Sequence, residues 1–172
     1  MNLLPQTYLL GLVGLLAIVA VVVGRQFFRV RRDEARLIEL EKSDTASSRQ
    51  ASDLYELGSV QLRKRLYPQA AATLKQALKR LSGEPDEARA LIENALGFAL
   101  AAQKDYSGAT KHYKLALKAK AEYPVALNNL AFAQEKLLKE AEAISLYEQT
   151  LQLEPDNATA KKGVKKLKRR IS

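Results

Sequence analysis

Residues 93–117 read ENALGFALAAQKDYSGATKHYKLAL, and the fold follows from what surrounds this stretch. ENALGFAL aligns residue for residue with LYELGSVQ (54–61) and LNNLAFAQ (127–134), each an apolar helix face. YSGATKHYKLAL (106–117) aligns in the same way with YPQAAATLKQAL (67–78) and EAEAISLYEQTL (140–151). The two halves keep a constant offset, Leu57 to Ala70, Leu96 to Ala109 and Leu130 to Ala143. One helical hairpin is written three times. A hairpin of this size cannot bury its own apolar face, so repeats of this period stack into a solenoid, an architecture that binds other proteins.

Packing needs account for the residue types inside each repeat. Small residues at Gly58, Gly97 and Ala131, and at Ala70, Ala109 and Ala143, mark close helix approaches, with Leu74, Tyr113 and Tyr147 filling the space between hairpins. Pro68 opens a second helix, and Pro85, Pro124 and Pro155 mark breaks, because proline cannot continue a helix interior. Gly58 to Gly97 is five residues longer than Gly97 to Ala131, which predicts a longer surface turn near Leu81–Asp86.

Composition excludes several chemistries. The 172 residues are 47% hydrophobic, enough for one domain plus an appendage. Without cysteine there are no disulfides, thiol catalysis or cysteine-held metals. His112 is the only histidine, no Gly-rich phosphate loop occurs, and the carboxylates are scattered along helix faces. No catalytic residue, cofactor or metal ligand is expected, and the chain reads as a non-enzyme.

Residues 1–24 are a different object, without a single charged side chain. As a helix, Leu3 to Gly24 would be roughly 33 Å long at 1.5 Å per residue, about the thickness of a bilayer's hydrocarbon core. A cleaved signal peptide is the alternative, but that carries positive charge before its apolar run. Here Arg25, Arg29, Arg31 and Arg32 follow the run. Basic residues beside a span stay on the cytoplasmic side, so the expected topology is N-terminus out and repeats in. Phe27 and Phe28 suit the headgroup level, and Ser43 to Ser52 loses apolar periodicity, marking a hinge.

Of the 28 basic residues, seven lie in 158–172 and the four arginines in 25–32, while the others nearly balance the 19 acidic residues. The two basic ends, Arg25, Arg29, Arg31 and Arg32 with Lys165, Lys166, Arg169 and Arg170, suggest contact with anionic lipid or an acidic protein face. Nucleic acid is not expected, since the tail lacks interleaved aromatics and a recognised module. The expected organisation is all-α: a transmembrane anchor (1–24), a basic juxtamembrane helix and linker (25–50), three repeats (51–157, about 51–84, 90–123 and 124–157), and a basic capping helix (158–172).

On these residues the hairpins resemble tetratricopeptide repeats (TPRs). Leu57-Gly58 and Leu96-Gly97 match the family's Leu-Gly pair, Leu130-Ala131 nearly so, and Ala70, Ala109, Ala143 and Pro155 match later positions. No tryptophan opens a repeat, and Ser82 and Ala121 replace the closing proline. The resemblance implies that first helices line a concave groove for a partner's peptide or helix, presenting Tyr55, Ser59, Asn94, Phe98, Asn128 and Phe132. The alternative for Phe98 and Phe132 is packing between repeats. Tyr55, Ser59 and Ala95 do not fit the clamp that some TPR domains use for a chaperone's C-terminal carboxylate.

A closer resemblance runs end to end. An MNLLPQTYLL start, one span closed by arginines, YELG, NALG and ALNNLA hairpins and a Lys/Arg-rich end are similar to a membrane-anchored TPR family of cyanobacteria and plastids that promotes photosystem I assembly. It implies a single-pass thylakoid protein with a lumenal N-terminus, repeats on the cytoplasmic or stromal side, and photosystem I subunits or assembly intermediates as partners. The alternative is a general membrane receptor that recruits soluble clients.

Overall fold

Amphipathic stripes repeated at one register force the hairpins against one another, and this sets the architecture. The computed structural model describes residues 4–42 and 50–171. Their helices are α1 (Leu4–Lys42), α2 (Ala51–Arg63), α3 (Tyr67–Arg80), α4 (Asp86–Ala102), α5 (Tyr106–Ala119), α6 (Pro124–Lys136), α7 (Glu140–Leu153) and α8 (Ala158–Ile171), with no strand among the described residues. The chain divides into two compact units, Met1–Ser43 and Asp44–Ser172.

In the first unit, α1 is one continuous helix, so the apolar run and the arginine cluster share an axis. Every side chain described from Tyr8 to Val23 is exposed. Tyr8–Arg32 is long and apolar enough to cross a membrane. The expected hinge falls mostly on residues 43–49, outside the described residues.

In the second unit, α2·α3, α4·α5 and α6·α7 are hairpins stacked in chain order, with α8 packed on α7. The buried stripes are those expected. Leu54, Ala70, Leu74, Ala77, Ile92, Leu96 and Ala99 form one cluster, and Ala131, Ala143, Ile144, Tyr147, Ala160 and Leu167 another. Burying a leucine of this kind contributes about 1.5–3 kcal/mol. Gly97 is glycine for want of room: a Cβ there would lie 2.6 Å from the Tyr113 ring, as one at Gly58 would lie 2.7 Å from Leu74 Cγ.

The three hairpin turns are the same turn. Leu66, Asp105 and Lys139 donate their N–H groups to the carbonyls of Gln61, Leu100 and Gln134, while Arg65, Lys104 and Leu138 donate to Leu62, Ala101 and Glu135. This is a Schellman closure, with its left-handed residue at Arg65 (φ 60°), Lys104 (φ 67°) and Leu138 (φ 60°). None is glycine, so each turn carries a local cost that hairpin packing offsets.

The five extra residues of the first interval do not form the long surface turn expected. The linker from α3 to α4 is only one residue longer than that from α5 to α6, and α4 has 17 residues against 13 in α6. Four of the five extend α4 by a turn at its start. Asp86 and Glu87 explain this, since carboxylates in a first turn meet unpaired N–H groups and the positive end of the helix dipole.

Candidate partner-binding groove

The first helices face one another across a bent row. α2 touches α4 and α4 touches α6, whereas among the described residues the second helices α3, α5 and α7 make no comparable contact with each other. Closely spaced first helices and splayed second helices put the concave side on α2, α4 and α6. Tyr123 caps the start of α6, at the entry to the third hairpin. Burial and then Tyr55 raise the Tyr123 pKa, and the Asn94 hydrogen bond opposes them.

The expected groove residues divide into used and available groups. Asn94 is committed at both ends: its Nδ2 donates to the Tyr123 hydroxyl (3.4 Å), and its Oδ1 accepts from Asn129 Nδ2 (3.0 Å). Asn128 donates from Nδ2 to Asn157 Oδ1 (3.1 Å), and that oxygen also accepts the Ala160 N–H that starts α8. Asn128 Oδ1 is buried without a partner. Tyr55 packs against the first core cluster, and Ser59 is half-buried.

Phe98 and Phe132 are 45% and 43% exposed. Each leans edge-on against the tyrosine that opens the preceding hairpin's second helix, Phe98 on Tyr67 (6.5 Å between ring centres) and Phe132 on Tyr106 (6.3 Å). Lys136 Nζ stands 5.2 Å over the Phe132 ring. Each ring thus has an inter-repeat neighbour and an open face. Sequence reasoning missed Leu91 and Val125, exposed apolar residues seven positions before the two phenylalanines on the same helix faces. The signal was their repetition at the spacing that relates Phe98 to Phe132.

At the far end, Lys162, Lys165, Lys166, Arg169 and Arg170 line a surface depression of about 410 Å³. Lys166 bonds Glu135 at 2.5 Å and Arg170 bonds Glu140 at 3.4 Å. Glu135 is 7% exposed, and together with burial its charge raises Tyr147 to about 12, burial being the larger cause. In the first unit, Arg25, Arg29 and Arg32 line a second depression with Phe28, while Arg31 lies 5.2 Å over the Phe27 ring. His112 is paired with buried Glu93 (2.7 Å) inside the second hairpin. The described residues contain no cluster of three His, Cys, Asp or Glu that would hold a metal ion.

A search against family models matches none. An uncharacterized protein, ycf37, of Guillardia theta is 30% identical over 158 residues, covering 92% of this chain and 89% of its own. The chain belongs to the ycf37 family. The chloroplastic tetratricopeptide repeat domain-containing protein PYG7 of Arabidopsis thaliana is 32% identical over 165 residues, and this ycf37-family chain spans 54% of its length. Among solved structures, the first TPR domain of Spaghetti (RPAP3), bound to an HSP90 peptide, superposes with a TM-score of 0.66. At 23% identity, covering 71% of this chain and 93% of that one, it shows the TPR fold. The second unit is therefore a tetratricopeptide protein-interaction scaffold with plastid relatives.

Proposed function

We propose that this ycf37-family protein is a non-catalytic, membrane-held scaffold that promotes assembly or stability of photosystem I by holding an exposed segment of a subunit in its groove. The observation that carries the reading is the exposure of Phe98 and Phe132 at one register of the first-helix row. Exposed apolar residues arranged in register on a concave face are a binding surface rather than scattered surface residues.

The apolar N-terminal helix and the arginines after it support a thylakoid location, with the N-terminus lumenal and the repeats cytoplasmic or stromal. The proposed division is an anchor over 1–24, a basic helix and linker over 25–50, repeats over 51–157 and a basic cap over 158–172. Anchoring confines scaffold and partner to one surface, which raises their effective concentration and lets a weak groove contact be occupied and released. Deletion in a photosynthetic host should lower the ratio of photosystem I to photosystem II, most visibly while new complexes are made. A normal ratio during growth and recovery from high light would reject the photosystem reading in favour of a general client receptor.

A further inference from the structure

Taking the groove as the binding site proposed above, its lining is graded from one end to the other. Positions three and seven apart on a helix share a face, so each first helix contributes a comparable triplet. These are Ser52, Tyr55 and Ser59 on α2; Leu91, Asn94 and Phe98 on α4; Val125, Asn128 and Phe132 on α6; and Thr159, Lys162 and Lys166 on α8. The two middle triplets are apolar and exposed at both outer positions. The last is cationic, and Lys165, Arg169 and Arg170 extend it into the depression on α8.

Not all this charge is neutralised within the protein. Lys166 and Arg170 are taken by Glu135 and Glu140, Lys161 by Asp156, and Lys168 by Glu148. Lys162, Lys165 and Arg169 have no acidic partner among the described residues, and all three are exposed. Residues 158–172 contain no carboxylate side chain to supply one. Among the described side chains of α8, Ala160 and Leu167 are fully buried and Val164 packs against the same cluster, so these offer an acidic partner charge without an apolar foothold. That foothold lies one and two hairpins away, at Phe132 and Phe98.

From this charge and apolar complementarity we infer that the occupant is a peptide segment with two apolar side chains and, at one end, a cluster of carboxylates. The apolar pair seats on the α4 and α6 faces, and the carboxylates reach Lys162 and Arg169. The unpaired cations of α8 set the acidic end of the segment toward that helix.

The test is selection of random twelve-residue peptides on the full-length protein held in detergent, repeated on Lys162→Glu/Arg169→Glu and Phe98→Ala/Phe132→Ala, with circular dichroism melts to verify folding. The wild type should enrich sequences with an apolar pair and a one-sided run of Asp or Glu. The charge-reversed variant should lose the acidic enrichment and bind wild-type-selected peptides at least tenfold more weakly, with a reduced salt dependence. The double alanine variant should bind them about tenfold more weakly with the salt dependence retained. Selected peptides that depend on Phe98 and Phe132 but carry no acidic bias would overturn this inference and leave the groove reading standing. No enrichment at all would sink both. Retention on phosphatidylglycerol vesicles but not phosphatidylcholine vesicles, abolished by the charge reversal while peptide selection is unchanged, would assign the basic end to lipid and overturn the inference.

Discussion

The same residue types have opposite fates in the two units. Leu, Val, Ile and Ala between Leu9 and Val23 are all exposed along α1, whereas Leu54, Leu74 and Leu96 in the repeats are buried to within a few per cent. The difference lies in the spacing of apolar residues. In the repeats they occupy one stripe per helix and a neighbouring hairpin covers it, so the protein is its own apolar solvent. On α1 they surround the helix, which no single packed neighbour covers, and the proposed membrane span is the arrangement that suits this pattern.

The largest expected effect tests that contrast directly. Removing residues 1–32 should move the protein from the alkaline-washed membrane pellet entirely into the soluble fraction, with the helical signal of the repeats retained. A truncated protein that stays with the membrane would place the anchor elsewhere. A second substitution sharpens the contrast at equal chemistry. Gly97→Leu should destabilise the repeats by about 3 kcal/mol, because a side chain there meets the buried Tyr113 ring and overpacking of this kind costs that order. Gly14→Leu, with nothing within 4 Å of its position, should leave the melting temperature of the repeats unchanged. Equal effects at the two sites, read by thermal melts, would erase the distinction between the internally packed glycines of the repeats and the exposed glycines of α1.

The smallest effect concerns the turns. Leu138 is exposed and held at φ 60°, where glycine has no Cβ penalty. Leu138→Gly should stabilise the repeats by about 0.5 kcal/mol, the relieved strain being partly offset by the extra freedom of the unfolded chain. A destabilised variant would show that the exposed leucine makes a contact worth more than the strain.

Much of this was legible before the structure, for physical reasons that differ by site. The hairpins were readable because Gly97, Ala109 and Tyr113 must fall at fixed offsets for two helices to approach, and the same offsets recur twice. The Schellman closures were not readable, because their left-handed positions carry Arg65, Lys104 and Leu138 instead of glycine, and the closure is imposed by the packing of the hairpin. The extra turn of α4 had a signal in Asp86 and Glu87, acidic residues placed to start a helix, but a length difference beside Gly83 and Pro85 favoured a loop.

The groove was half legible. Register gave the six expected positions, but only the structure distinguishes Asn94, whose amide is spent between repeats, from Asn128, whose oxygen is unpartnered. Leu91 and Val125 were invisible because an apolar residue on a helix reads as core until its exposure is known. Lys162 read as one of seven like charges until α8 was packed and its neighbours found their carboxylates.

The most direct measurement of the proposed function is site-specific photo-cross-linking in a photosynthetic host. A benzoyl-phenylalanine replaces Phe132 in the groove, or Leu115 on the outer helix α5 as the control, and mass spectrometry identifies the captured chains. Cross-links from position 132 to photosystem I subunits, enriched while complexes are being made and absent from position 115, are the expected result. Capture of the same proteins from both positions, or of only non-photosystem proteins from position 132, would contradict the assignment of the groove to photosystem I assembly.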